Sequence, residues 1–133
     1  MTKGESKIIS FEKATNGLEE VLKGYSVENN IETKIIFRDS AIQRFEMAFD
    51  LSWKSLKDYL LDKKGLVCNS PKDCFRQAFE NNFFANDNPL WVEMTNDRNL
   101  MSHSYDEEEA EKIFKKLPEY LSLFKELLRE IKK

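Results

Sequence analysis

The stretch "IIFRDSAIQRFEMAFDLSWKSLKDYLLDKKG", residues 35–65, carries the clearest information about the fold. Its apolar residues recur at intervals of three, four or seven, which is the spacing of one face of an α-helix. They are Ile35, Ile42, Phe45, Phe49, Trp53, Leu56 and Leu60. The opposite face carries charges such as Arg44 and Asp58, and Gly65 suits the left-handed residue that ends many helices. The pattern predicts one long amphipathic helix.

Shorter stretches with helical periodicity lie on both sides of this segment. Before it, an apolar stripe over residues 11–25 predicts a first helix. After it, Ser70 followed by Pro71, and Asn88 followed by Pro89, are typical of the residues at which helices begin. Two further helices are therefore predicted to start at these two positions.

The last predicted helix begins near Ser104, because Ser104 and Glu107 have the spacing of a capping box. Pro118 is expected to kink or split this helix, since proline removes a backbone donor. No strand alternation or internal repeat is present in the sequence. We therefore predict an all-α, up-and-down bundle of four to five helices. It forms a single domain over residues 1–133, with residues 1–7 expected to be flexible.

The composition agrees with this class of protein. Hydrophobic residues make up 41% and charged residues 34% of the chain, with only four glycines and three prolines, as in soluble helical bundles. The net charge of −3 argues against a chain-wide electrostatic affinity for nucleic acid, although a local basic groove remains open. No apolar run approaches the ~20 residues of a membrane span, and no secretory segment starts the chain. We expect a cytoplasmic protein without a membrane partner.

The two cysteines, Cys68 and Cys74, are six residues apart. This spacing matches neither a CxxC motif nor a disulfide framework. Two reduced thiols are therefore expected in a cytosolic protein.

The only histidine lies in "NDRNLMSHSYDEEEA", residues 96–110. If residues 90–103 are helical, Arg98 falls on a stripe whose other members are apolar: Trp91, Met94 and Met101. Asn99 and His103 form the neighbouring stripe, one helical turn apart. An isolated bundle would leave the apolar stripe around Arg98 partly uncovered, which predicts a homodimer.

Arginine and histidine at one helix end suit the recognition and cleavage of a phosphodiester. Arginine offers a planar fork for phosphate, and histidine moves protons near neutral pH. The alternative is that His103 only caps carbonyls or pairs with the glutamates that follow it. Those glutamates are ordinary for the first turn of a helix. Arg44 and Lys54 would add local positive charge for such a phosphodiester, although a solvated helix face also explains them.

Several activities are excluded by what the sequence lacks. One histidine and two cysteines cannot form a four-ligand site of nitrogen and sulfur within one chain. There is no GxGxxG or GxxxxGK[ST] loop to hold phosphates. No DxD pair is present, so the chain is not expected to be a self-sufficient metal-dependent nucleotidyltransferase. We expect neither a metal ion nor a cofactor.

The chain resembles a known family in an R-x4-H-x-Y motif and in three longer stretches. These are "FRDSAIQRFEMAFDLSWKSLKDYL", "SPKDCFRQAF" and "YLSLFKELL". This is the nucleotidyltransferase substrate-binding protein family, within the HEPN superfamily and related to the HepT toxins. The resemblance covers about residues 8–131. Arg98, His103 and Tyr105 match the motif, and Asn99 matches the polar residue after its arginine.

The resemblance implies a HEPN-like helical bundle that dimerises and places two motifs near the dimer groove. Many HEPN proteins are metal-independent ribonucleases. Members of this family are typically encoded beside a minimal nucleotidyltransferase. In HepT-type pairs, that partner neutralises the toxin by attaching AMP to the motif tyrosine. The family label instead implies a non-catalytic subunit that binds the substrate, RNA or a nucleotide, on which its partner acts.

The resemblance also implies roles for the motif residues. His103 would act as general base on a ribose 2′-hydroxyl or as general acid on the leaving oxygen, and Arg98 would stabilise charge on the phosphate. Asn99 would orient the imidazole or the phosphate. Tyr105 would accept AMP or form a nearby contact. The complete motif favours the ribonuclease over the substrate-binding subunit.

Overall fold

A computed structural model describes residues 2–84, 88–103 and 106–133, without the side chains of residues 102 and 103. These residues form five helices and no strand, which confirms the predicted all-α class. The helices are α1 (Lys3–Val27), α2 (Ile31–Lys64), α3 (Pro71–Glu80), α4 (Leu90–His103) and α5 (Glu107–Lys132).

The first helix begins earlier than the sequence suggested. The Thr2 side chain accepts a hydrogen bond from the backbone of Glu5, and the Glu5 side chain accepts one from the backbone of Thr2. This reciprocal cap satisfies two donors that a helix start leaves unpaired. Because of it, α1 starts at Lys3, inside the segment 1–7 that we expected to be flexible.

The predicted end of α2 and the predicted starts of α3 and α4 are confirmed. Gly65 has a φ of +66° directly after α2, a conformation that glycine adopts without steric cost. The side chain of Ser70 accepts a hydrogen bond from the backbone of α3, and Pro71 is the first residue of that helix. The side chain of Asn88 accepts a bond from the first backbone N–H of α4.

The start of α5 differs from the prediction. The helix begins at Glu107, and its cap is Asp106, whose side chain accepts a hydrogen bond from the backbone of Glu108. Ser104, the predicted cap, lies outside the described residues. Aspartate is a strong cap residue, so the cap lies two residues after the predicted position.

Pro118 does not split α5, which is helical from Glu107 to Lys132. Leu117, directly before the proline, and Tyr120, two residues after it, are fully buried. Their burial holds the helix together across the one backbone donor that proline lacks.

Cys68 and Cys74 form a disulfide, so the expectation of two reduced thiols is wrong. Their Cα atoms are 5.1 Å apart, and both residues are fully buried. The chain turns back between α2 and the first turn of α3, which brings residues six apart in sequence within bonding distance. The Gln77 side chain donates a 2.8 Å hydrogen bond to the Val67 carbonyl and closes the same turn.

The core lies between α1, α2 and α5. The ring of Phe45 on α2 stacks on Tyr120 and Phe124 of α5, and Phe11 of α1 meets Phe124 edge to face. Burying each such ring contributes about 1.5–3 kcal/mol. The second layer is smaller: α4 packs against α3 and α5. The contacts of Arg98 with Glu46 and Asp50 place α4 beside the middle of the long helix α2.

Large apolar side chains are also exposed. On α2 these include Ile31, Ile36 and Met47, which are 74%, 66% and 58% exposed. Despite them, no helix of the described chain combines the length and the apolar character that crossing a membrane requires.

Candidate nucleic-acid interface

One side of α4 is fixed to α5 by Asp97. Its carboxylate accepts a 2.5 Å hydrogen bond from the hydroxyl of Tyr120 and lies 3.2 Å from the ammonium of Lys116. Lys116 also pairs with Glu93, one turn earlier on α4. Burial, and then the neighbouring Asp97, raise the pKa of Tyr120 above its ordinary value. The phenol therefore keeps its proton and remains a donor to α4.

The next residue, Arg98, reaches in another direction. Its Nη1 lies 3.5 Å from Glu46 and its Nη2 lies 3.3 Å from Asp50, both on α2. Glu46 and Asp50 are one turn apart, so they share a face of that helix. The Arg98 side chain is 19% exposed. Adjacent residues of α4 thus hold it to α5 on one side and to α2 on the other.

The apolar stripe beside Arg98 is covered within the single chain. Trp91, Met94 and Met101 are 4%, 0% and 7% exposed, and Phe75 of α3 stacks on Trp91 at 4.4 Å. Our reason for predicting a homodimer, an uncovered stripe, is therefore wrong. Arg98 departs from the apolar pattern because it lies at the edge of this buried stripe, where a long side chain reaches α2.

The rest of the motif follows along the same helix. Asn99 is exposed on α4, and His103 is the last residue of that helix, as the predicted helix over 90–103 requires. Helix geometry puts Asn99 and His103 one turn apart. The His103 imidazole and the whole of Tyr105 lie outside the described residues. The described residues therefore bring together Arg98, the carboxylates of Glu46 and Asp50, and the final turn of α4.

A second arginine cluster, which we did not predict, lies at the start of α5. The guanidinium of Arg38 makes contacts of 2.8–3.0 Å with Glu111, Asp39 and Glu107. The hydrogen bond that Arg38 donates to Glu111 is the main cause of its raised pKa. The glutamates after the motif therefore hold α5 to α2. Their spacing, Glu107 and Glu111 at i and i+4, was the available signal in the sequence.

The carboxylates that the structure describes are not grouped as a metal centre. Among the described residues, no group of three or more His, Cys, Asp or Glu side chains is arranged to hold a metal ion. The acidic groups nearest the motif instead face guanidinium groups.

Comparison with known proteins connects this architecture to a family. A family model described as "Nucleotidyltransferase substrate binding protein like" matches residues 6–133. One relative, a probable ribonuclease HepT from Haemophilus influenzae, is 29% identical over 96 residues. That alignment covers 69% of this chain and 65% of the relative, so the match spans somewhat less than two thirds of the relative's length.

Solved structures share the fold. A crystal structure of a Thermus thermophilus protein is 36% identical with a TM-score of 0.80, covering 92% of this chain and 99% of that one. A Haemophilus influenzae protein, described as having the fold of a substrate-binding domain of a nucleotidyltransferase, is 23% identical. Its TM-score is 0.78, over 95% of this chain and 99% of that one.

A third structure is a tri-AMPylated HEPN toxin from Shewanella oneidensis in complex with its MNT antitoxin. It is 18% identical with a TM-score of 0.75, over 99% of this chain and 98% of the toxin. At this low identity the similarity concerns the fold alone, and it confirms the predicted HEPN-like bundle.

Proposed function

Since this chain belongs to the nucleotidyltransferase substrate-binding protein-like family, we propose that it is a metal-independent ribonuclease controlled by a nucleotidyltransferase partner. One observation carries the proposal: Arg98 is held by Glu46 and Asp50 at the end of a helix whose last residue is His103. Phosphodiester cleavage needs a cation that stabilises the phosphate and a group that moves protons, and Arg98 and His103 would supply them.

In the proposed reaction His103 removes the proton from a ribose 2′-hydroxyl. The resulting oxygen attacks the adjacent phosphorus, the bond from phosphorus to the 5′-oxygen breaks, and a cyclic phosphate forms. Arg98 stabilises the negative charge that builds up on the phosphate oxygens, a role that metal ions fill in other nucleases. The leaving 5′-oxygen takes a proton from a second group, and Asn99 orients the imidazole or the phosphate.

A second proton donor is one reason to propose a homodimer, because each chain has a single histidine. Two copies would bring two motifs to one groove. Support comes from the exposed isoleucines at the start of α2, Ile31, Ile35 and Ile36, since clustered exposed apolar residues often mark interfaces. Light scattering at micromolar concentration should give a dimer mass. Ile36→Lys should shift it towards the monomer, whereas Val67→Lys, at another exposed apolar residue, should not.

The ribonuclease is tested by alanine variants of the two motif residues. Arg98→Ala and His103→Ala should each lower the cleavage rate of RNA by about 10²–10⁴-fold, because each removes a group needed in the transition state. Arg129→Ala, an exposed arginine of α5, is the control and should cleave normally. The helical circular dichroism of all variants should match the wild type, and EDTA should not inhibit. Cleavage that survives both motif substitutions, or that requires added Mg²⁺, rules out the proposal.

The partner is proposed to switch the enzyme off at Tyr105. A phenol has a pKa near 10 and is a weak nucleophile at neutral pH, so the partner must activate it. The phenol oxygen then bonds to the α-phosphorus of ATP, pyrophosphate leaves, and the phenol proton passes to the partner. The attached AMP would place negative charge close in sequence to Arg98 and compete with RNA for that cation.

Intact mass spectrometry after incubation with the partner and ATP tests this switch. The wild type should gain one or more AMP masses and lose cleavage activity. Tyr105→Phe should gain none, while the control Tyr59→Phe should be modified normally. AMP on the Tyr105→Phe chain would place the modification elsewhere.

A non-catalytic substrate-binding subunit is the second candidate. It is supported by a cavity of about 440 Å³ between α3 and α4, lined by Phe75, Phe79, Trp91 and Lys72 among others. This volume and its apolar lining suit a small ligand. In the mass experiment, this function predicts an unmodified chain while the partner transfers nucleotide to a third molecule bound here.

A further inference from the structure

A second groove, of about 740 Å³, runs between α1 and α2. It is lined by Lys13 and Arg44, by the hydroxyl groups of Ser10 and Ser40, and by Gln43 and Met47 among others, and no carboxylate of the described residues lines it. In a chain with a net charge of −3, such a groove is a local excess of positive charge. With respect to the described part of the chain, neither Lys13 nor Arg44 has an ion-pair partner, in contrast to Arg98.

Two nearby residues, Ser40 and Gly17, determine where the guanidinium of Arg44 lies in this groove. Its Nε donates a 3.3 Å hydrogen bond to the Ser40 hydroxyl. Its guanidinium lies against Gly17 of α1, where a Cβ atom would come within 2.5 Å of Nη1. Only a residue without a side chain leaves space for the guanidinium in this place. The cation is thus directed into the groove between the two helices.

From this geometry we infer that the groove binds the phosphodiester backbone of an RNA strand. The inference rests on the proposed ribonuclease and deepens it, because it names a surface that holds the substrate away from the scissile bond. Lys13 and Arg44 would contact phosphate oxygens, as cations do in nucleic-acid binding. The hydroxyl groups and Gln43 would add hydrogen bonds, and the half-exposed Met47 would contact a base or a ribose.

The groove is continuous with the motif surface. Ser40 and Gln43 also line a neighbouring groove of about 580 Å³, together with Ile36, Asp39 and Glu46, the last of which is one of the carboxylates that hold Arg98. In the inferred binding mode, an RNA strand bound at Arg98 passes over Ser40 and Gln43 to reach Arg44. This continuity favours a strand over an acidic peptide or a single nucleotide, neither of which requires contact with both grooves.

Binding is tested separately from cleavage with a 2′-O-methyl oligoribonucleotide of about 12 nucleotides, a typical length for a single-strand site. This probe lacks the attacking hydroxyl, so fluorescence anisotropy measures binding alone. Arg44→Gln should weaken binding about tenfold at low salt, and the slope of log K against log salt should fall by about 0.7, the value for one lost contact to a single strand. Arg129→Gln makes the same charge change on α5 and should alter neither quantity.

Gly17→Ala tests the position of the Arg44 guanidinium more specifically, because the substitution changes no charge. The new methyl group would displace the Arg44 guanidinium, while alanine favours the helix more than glycine does. We expect weaker binding of the probe with an unchanged or higher melting temperature. A variant that binds less well only because it folds less well would show a lower melting temperature.

Three results overturn the inference. The first is equal binding by Arg44→Gln and Arg129→Gln, and the second is wild-type affinity in Gly17→Ala. The third is displacement of the probe by AMP or by a glutamate-rich peptide as effectively, per charge, as by RNA. If the wild type cleaves unmodified RNA and Arg44→Gln still binds the probe normally, the proposed ribonuclease activity is retained and RNA binding in this groove is rejected. If binding of the probe depends on Arg44 but no RNA is cleaved, RNA binding in this groove is retained and the proposed ribonuclease activity is rejected.

Discussion

Arg38 and Arg98 each pair with carboxylates of another helix, in two regions of the molecule, but the two sites differ in burial and in contact length. Arg38, between α2 and α5, has a side chain only 5% exposed and meets three carboxylates at 2.8–3.0 Å. Arg98, between α4 and α2, is 19% exposed and meets two carboxylates at 3.3–3.5 Å. Charge-assisted hydrogen bonds are usually about 2.7–2.9 Å long. The Arg38 contacts are near that range and those of Arg98 are longer.

The difference shows what separates a structural arginine from one that can serve a ligand. At Arg38 a phosphate would have to reach a buried guanidinium and displace three close carboxylates. At Arg98 the contacts are longer and the side chain is more open, so a phosphate can exchange with a carboxylate at lower cost. Burial and contact length, more than residue type, therefore favour a structural role for Arg38 and agree with the role that we propose for Arg98.

The largest effect that tests this contrast is on catalysis. Arg98→Lys keeps the positive charge but removes the planar fork that contacts two phosphate oxygens at once. We expect the cleavage rate to fall about 100-fold, equivalent to about 2.7 kcal/mol. The midpoint of chemical denaturation should stay close to that of the wild type. A variant that cleaves RNA normally would show that charge alone suffices at this position.

The reciprocal substitution should affect stability. Arg38→Met leaves three carboxylates close together at the junction of α2 and α5 without a cation between them. Because these carboxylates are 45–72% exposed, water hydrates them and limits the cost, which we expect to be about 2 kcal/mol of unfolding free energy. Urea denaturation measures it. A loss of cleavage by a stably folded Arg38→Met would mean that Arg38 also serves the reaction.

A smaller effect is expected at the other side of α4, where Tyr120 donates to Asp97. Tyr120→Phe should cost about 1 kcal/mol of unfolding free energy at neutral pH. The folded state raises the pKa of Tyr120, so above about pH 10 the unfolded phenol ionises before the folded one. Wild-type stability should therefore fall with rising pH, and the advantage of the wild type over Tyr120→Phe should shrink. An advantage that grows above about pH 10 would contradict this assignment.

The smallest effect concerns the carboxylates around Arg98. Asp50→Asn removes one negative charge that competes with RNA phosphate, while the amide still accepts a hydrogen bond. We expect KM for RNA to fall about two- to threefold, about 0.5 kcal/mol, with kcat unchanged, an effect of the size seen for exposed charge pairs. Glu80→Gln, which removes a charge paired with Arg76 on α3, is the control. A higher KM for Asp50→Asn would mean that Asp50 is needed to hold Arg98 in place.

The helices could be read from the sequence because their signals are local. Gly65, Ser70 and Asn88 mark their helix ends through contacts with residues close in the chain. The same local reasoning allowed a split at Pro118 that does not occur, because burial along α5 outweighs one missing hydrogen bond. It also failed for the pair Cys68 and Cys74, since their proximity depends on a turn that no spacing rule describes.

Only part of the candidate site could be predicted from the sequence, because some of its residues are far apart in the chain. The motif itself is continuous in sequence, so Arg98 and Asn99 were identified as candidates. Glu46 and Asp50 were not, because they are 52 and 48 residues away from Arg98 and only the packing of α4 beside α2 brings them close. The burial of Trp91 depends on α3 in the same way. Partners that come from distant helices require the tertiary structure.

Gly17 has a consequence for the evolution of this surface. Glycine within a helix costs about 1 kcal/mol relative to alanine, and α1 accepts that cost in a well-packed stretch next to the fully buried Leu18. A larger residue at position 17 would favour the helix but displace the guanidinium of Arg44, so helix stability and the place of that cation make opposite demands on this position. The two positions should therefore covary: family members with a larger residue in place of Gly17 should have lost the arginine at the position of Arg44.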